Sequence, residues 1–182
     1  MHRLIACLLT GLLLAACATR PASPAVVLPS LRLAPAALGQ QVALQQRLVF
    51  RFGEHVRELD ALLEVDADAV RLAVQAMGRT GVRLQWDGTT LSEERAAWLP
   101  AAVRGERVLD DVQFSLWPAD AVRAALPVGW ELVESGDKRE LRMDGHAWLV
   151  RERVDATTLR VHNKADGYHL TIESMAGGAP IP

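Results

Sequence analysis

Alternation of apolar and polar residues with a period of two, renewed after each short turn, constrains this chain more than any other feature of it. From Val42 the even positions run Val42, Leu44, Gln46, Leu48, Phe50 and Phe52, while the odd ones include Gln41, Gln45, Arg47 and Arg51. Successive strand side chains point to opposite faces, so this pattern predicts a strand with one wet face. After a turn near Gly53-Glu54, Leu59, Ala61, Leu63 and Val65 alternate with Glu58, Asp60, Glu64 and Asp66. Val70, Leu72, Val74 and Ala76 form a third run. The turn Gly78-Arg79-Thr80-Gly81 then leads into Val82, Leu84 and Trp86, closed by Asp87-Gly88. Four strands this close in sequence predict an antiparallel meander.

The period then changes. Val108, Leu109, Val112 and Leu116 fall at helical spacing, and Pro118 sits where it opens a second short helix through Val122 and Leu126, ending before Pro127. Strand patterns resume at Trp130 and Leu132, then Arg139, Leu141 and Met143, then Trp148 and Val150, Leu159 and Val161, and Tyr168, Leu170 and Ile172. Their turns are Ser135-Gly136-Asp137, Asp144-Gly145 and Lys164-Ala165-Asp166-Gly167. The expected fold is mainly β (α+β): a strongly curved antiparallel sheet with two short helices inserted midway as a lid over its apolar face. A tightly packed lid makes a filled core. A loose one leaves an apolar cavity suited to acyl chains, lined by Phe50, Leu63, Val74, Trp86, Trp117, Trp148 and Val150. The pattern does not choose between the two.

The N-terminus places the domain. Residues 1–16 carry one basic residue, Arg3, then a short apolar run ending in Leu14-Ala15-Ala16-Cys17. Such a run is too short to span a bilayer, which needs about 20 residues, and reads as a secretory signal. Leu-Ala-Ala-Cys resembles the bacterial lipobox, which implies cleavage before Cys17 and lipid attachment to it. Ala18, where an Asp marks inner-membrane retention in such lipoproteins, implies an outer-membrane anchor with the domain facing the periplasm. Residues 17–35, rich in Ala, Pro and Ser, read as an extended tether, residues 36–176 as the domain, and 177–182 as a tail.

Removal of Arg3 with the signal takes the formal net charge from −2 to −3, which points away from nucleic acid. Both cysteines, Cys7 and Cys17, are used by signal and lipid, so the domain is expected to lack disulfides and thiol chemistry. His55, His146, His162 and His169 form no metal-binding spacing, although His162 and His169 flank one hairpin and can meet across it. The Ser135-Gly136 turn lacks a Gly-x-Ser-x-Gly context, and no phosphate loop is present, so neither catalysis nor a cofactor is expected. Glu93-Glu94 and Asp110-Asp111 read as a loop and a helix start, where solvation and the helix dipole account for them. Arg51, Arg57, Arg71 and Arg83 read as polar-face residues paired across strands with Glu58, Glu64 and Asp87. The loop Ala97-Trp98-Leu99-Pro100 offers Trp98 and Leu99 either as a membrane contact or as residues buried against the domain.

Several segments carry a resemblance. Leu48-Val49-Phe50-Arg51, Leu59-Asp60-Ala61-Leu62-Leu63-Glu64-Val65-Asp66, Leu84-Gln85-Trp86-Asp87-Gly88, Leu109 through Pro118 and Gly167 through Ser174 are similar to an uncharacterised bacterial lipoprotein family related to LolB. The resemblance covers roughly residues 33–174. It implies an unclosed antiparallel half-barrel with a helical lid over an acyl-binding cavity, and a role in transferring or inserting a hydrophobic ligand at the outer membrane. Implied partners are a lipid or lipoprotein acyl chain and a LolA-like periplasmic carrier. Members of that family are commonly encoded with aryl polyene or xanthomonadin-type pigment clusters, which implies a polyene cargo. The exposed hydrophobic loop of LolB has no aligned counterpart here. The competing expectation is a non-catalytic scaffold that anchors other components of a lipid biosynthesis or export machine.

Overall fold

The computed structural model describes residues 26–99 and 104–175; the signal segment, residues 17–25 of the tether and the tail lie outside them. Ten strands form one antiparallel sheet: β1 (Val42–Phe52), β2 (His55–Val65), β3 (Val70–Ala76), β4 (Arg79–Trp86), β5 (Leu91–Arg95), β6 (Trp130–Ser135), β7 (Lys138–Met143), β8 (His146–Arg153), β9 (Thr158–Asn163) and β10 (Tyr168–Ser174). Their spatial order is β5-β4-β3-β2-β1-β10-β9-β8-β7-β6. Two five-stranded meanders are therefore joined by the β1–β10 pair, and β5 and β6 remain as edges of an unclosed sheet. The helices α1 (Gly105–Leu116) and α2 (Ala119–Ala125) connect those two edges.

This mainly β architecture, with two short helices inserted midway, is the one the periodicity predicts. Rows of register partners define its inner face. Val42, Val65, Val70 and Trp86 lie in one row and Leu44, Leu63, Leu72 and Leu84 in the next. Both rows are buried. At the far side of the sheet Leu132, Leu141 and Leu149 share a row and are buried too.

Four details differ from the sequence expectation. Residues 28–35, assigned to the tether, pack into the core: Leu28, Leu31 and Leu33 are buried with Leu38, from a 3-10 turn at Pro35–Leu38. Proline spacing concealed this because apolar residues separated by Pro and Ala show no strand or helix period. Glu93 and Glu94 lie in strand β5, not a loop. Asp110 and Asp111 sit in the middle of α1 and are buried, so the dipole account fails. In β8 the buried residues are Leu149 and Arg151, and Val150 is in register with Glu140 and His162 on the outer face. The β7–β8 register shifts between Leu141 and Arg142, which sets Trp148 at the irregularity and displaces the simple alternation.

Candidate ligand-binding face

The inner face is assembled by polar clamps that hold an N-terminal strap and α1 against the strands. The wholly buried Gln113 pairs with the strap like a strand: Leu33 N donates to Oε1 at 3.0 Å and Nε2 donates to Leu33 O at 2.8 Å. Trp86 Nε1 donates to Leu33 O at 2.7 Å, and Trp117 Nε1 to Ala34 O at 3.0 Å. Asp110 Oδ1 accepts from Leu31 N and from Arg32, both at 3.0 Å. These bonds satisfy a strap that lacks ladder partners of its own.

At the ends of α1, charged side chains take the place of the usual caps. Glu93 Oε1 accepts from Gly105 N at 3.2 Å, and a Cβ on Gly105 would stand 2.6 Å from the Glu93 carboxyl carbon, so a side chain there would displace Glu93 from this cap. At the other end Arg139 donates to Phe114 O (2.8 Å) and Trp117 O (2.7 Å), while its Nε and Nη2 hold Glu134, each at 2.7 Å. Those carbonyls are the unpaired acceptors of a helix C-terminus.

Behind α1 the Tyr168 hydroxyl donates to Asp111, and Arg107 reaches Asp110 at 3.1 Å and Asp111 at 3.5 Å. Asp111 Oδ1 and Arg107 Nε are both buried without a hydrogen bond, so their ion pair is poorly directed. Burial consequently dominates, raising the Asp111 carboxyl to about 6 against the opposing pull of Arg107 and Tyr168. Burial and then the Asp111 charge raise Tyr168 far above the ordinary phenol range.

Between the two buried ends of the sheet lies a half-buried apolar strip. Leu59, Leu48 and Ile172 share one row across β2, β1 and β10, and Phe50 and Leu170 share the next. Val74, on β3, is half-buried beside them, and Leu48, Val74, Leu170 and Ile172 pack against the core on one side. The Phe50 and Tyr168 rings are 5.2 Å apart. At one border Gln46 donates to Ser174 at 3.2 Å. At the other, the Phe50–Leu170 row continues through Val161 to Arg151 and Arg139.

The seven residues expected to line a cavity therefore divide. Phe50 and Val74 belong to the half-buried strip. Leu63, Trp86 and Trp117 belong to the filled core, at 1%, 4% and 0% exposure. Trp148 is half-buried against the core at the β7–β8 irregularity, its indole N–H without a partner among the described residues, and Val150 faces outward. Trp98 is 42% exposed, and Leu99 turns onto the core. Both lie over Gly81, whose missing side chain leaves the room. Pro100 is outside the described residues.

On the outer face, ion pairs join Arg47 to Glu58, Arg71 to Asp66 and Arg83 to Glu94, partly as cross-strand pairing predicts. Arg57 instead shares a register row with Phe50. An open depression of about 330 Å³ there is lined by Leu62, Arg71, Arg83 and Glu94 among others. His162 and His169 do meet, stacked at 3.8 Å.

Fold and face together define a non-closed β-sheet domain with an apolar inner strip. The chain belongs to the family described as a protein of unknown function, DUF3261, which matches residues 43–176. No curated protein matches the chain.

Proposed function

We propose that this protein is a LolB-like outer-membrane lipoprotein, anchored through acylated Cys17, that binds an acyl or polyene chain on its inner face and transfers or inserts it into that membrane. The observation that carries the reading is the strip of Leu48, Phe50, Leu59, Leu170 and Ile172, apolar yet only half-buried in a domain that elsewhere packs its inner face tightly. It crosses three neighbouring strands, two spacings of about 4.8 Å each. Each methylene laid on it contributes about 0.8 kcal/mol, so a long chain is held without any bond being made or broken. Handover needs only displacement of the chain, to a membrane or from a LolA-like carrier.

Native mass spectrometry of the protein purified from its own host, followed by lipid extraction, tests this. A stoichiometric hydrophobic ligand that is lost in Leu170→Asp, with the fold retained, is the expected result. A clean unliganded mass that candidate lipids leave unchanged refutes it. The second reading is a scaffold lipoprotein of a lipid biosynthesis or export machine. It is favoured by the filled core at Leu63, Trp86 and Trp117 and by the free edges β5 and β6.

A further inference from the structure

Arg151 stands on the inner face of β8, between Arg139 on β7 and Val161 on β9, and is 7% exposed. Its Nε is buried and has no hydrogen-bond partner among the described residues. Glu134, in the same row beyond Arg139, is already held by Arg139 and, at 3.8 Å, by Arg123. Arg139 is fully committed to Glu134 and the two α1 carbonyls, and Arg153 has a contact of its own. Burial first, then Arg139 and Arg153, push the Arg151 guanidinium down to about 10, against the weaker pull of Glu134 and Asp137. A buried guanidinium nitrogen left without a partner carries a desolvation cost that an anion beside it offsets.

Taking the inner strip as a chain-binding surface, we propose that Arg151 is the headgroup site of a long-chain carboxylate whose hydrocarbon runs from Val161 over Leu170 to Phe50. Row geometry sets the length: Arg151 and Phe50 are three strand spacings apart, about 14 Å. The headgroup class follows from the donors. One planar guanidinium fork matches one carboxylate in shape and in charge, whereas a phosphate dianion needs a second cation, and Arg139 is taken. Val161 is covered at 1% exposure, so the side chains packed over it must move aside for the chain to enter.

The test is displacement of a fluorescent long-chain carboxylate from the full chain by palmitate, hexadecanol, hexadecyl phosphate or acetate. The full chain is compared with Arg151→Met and Arg151→Lys. Palmitate is expected to bind the unmodified protein about tenfold or more tighter than hexadecanol, the ratio one charge-assisted pair supplies. Arg151→Met removes that preference while hexadecanol binding stays unchanged, Arg151→Lys keeps part of it, and acetate does not compete. Methionine is apolar and of similar reach, so the fold is retained; the palmitate-to-hexadecanol ratio of the unmodified chain tests the charge without any variant. Equal binding of palmitate and hexadecanol, or palmitate binding indifferent to Arg151→Met, overturns the headgroup site and leaves the chain-binding strip standing. A preference for hexadecyl phosphate overturns the carboxylate assignment. If no long-chain probe binds, the carrier reading itself fails.

Discussion

Asp111 makes the stability of this domain fall as pH rises, opposite to the usual behaviour of a native carboxylate. Its side chain lies behind α1 with one oxygen on the Tyr168 hydroxyl and the other facing Arg107 without a hydrogen bond. Burial lifts its carboxyl from 3.8 to about 6. The native state therefore holds this proton more tightly than the unfolded chain does, so stability is complete below about 4 and is lost as pH climbs through about 6. At 1.36 kcal/mol for each tenfold change in proton affinity, the charged form costs about 3 kcal/mol at neutral pH. Asp111→Asn keeps an acceptor for Tyr168 and removes the titration. Urea unfolding followed by tryptophan fluorescence at pH 4, 5, 6 and 7 isolates the effect, because every other titrating group largely cancels between the two proteins. The unmodified chain is expected to lose about 2.4 kcal/mol relative to the variant between pH 4 and pH 7. At a urea slope of about 2 kcal/mol per molar, this is a relative midpoint shift of about 1.2 M. Asp110, also raised by burial, is relieved of a like charge in the variant and moves the difference the same way. Parallel curves, or an unmodified chain that gains on the variant with rising pH, refute the reasoning and show that the Arg107 pair outweighs burial.

Trp117→Ala is expected to lose about 3–5 kcal/mol, because it leaves a hole at a wholly buried site and removes one of the two hydrogen bonds to Ala34 O; thermal unfolding by circular dichroism checks it, and ligand loss without destabilisation would contradict it. Gly105→Ala and Glu93→Ala are expected each to cost about 1 kcal/mol or more, yet their combination is expected to cost less than the sum. The added methyl clashes only with the Glu93 carboxyl, and chemical denaturation of all four proteins closes the cycle.

Sheet topology was legible because its information is local and redundant. Alternation in Val42–Phe52 names the inner residues, and two-residue turns such as Gly53-Glu54 fix the next register without reference to anything distant. Strand β5 escaped because Leu91–Arg95 offers one apolar residue and a run of charge; Glu93 is inward-facing at the free edge, where it caps a helix twelve residues later. The strap escaped for the same kind of reason. Its backbone is satisfied by Gln113, Asp110, Trp86 and Trp117, partners some 50 to 80 residues away that no local pattern reveals.

The inner strip and Arg151 show where a hydrophobicity pattern misleads and why the failure is informative. Trp148 and Val150 are the large apolar residues of β8, so alternation assigns them inward; the register shift at Leu141/Arg142 and the burial of Leu149 and Arg151 reverse that assignment. An inward arginine at 7% exposure carries a desolvation cost that the surrounding apolar row does not offset. Arg139, equally buried, recovers that cost by binding two helix carbonyls and Glu134, which makes it structural. Arg151 has only the weaker pull of Glu134 and Asp137, and its buried Nε has no hydrogen-bond partner within the described residues; a sequence that departs from its own pattern with so little internal compensation is the kind that a ligand completes. The same contrast separates the seven candidate wall residues. Trp86 and Trp117 have spent their indole N–H groups on the strap and are walls of nothing, whereas Phe50, with no polar group and only partly buried, is placed to meet a chain.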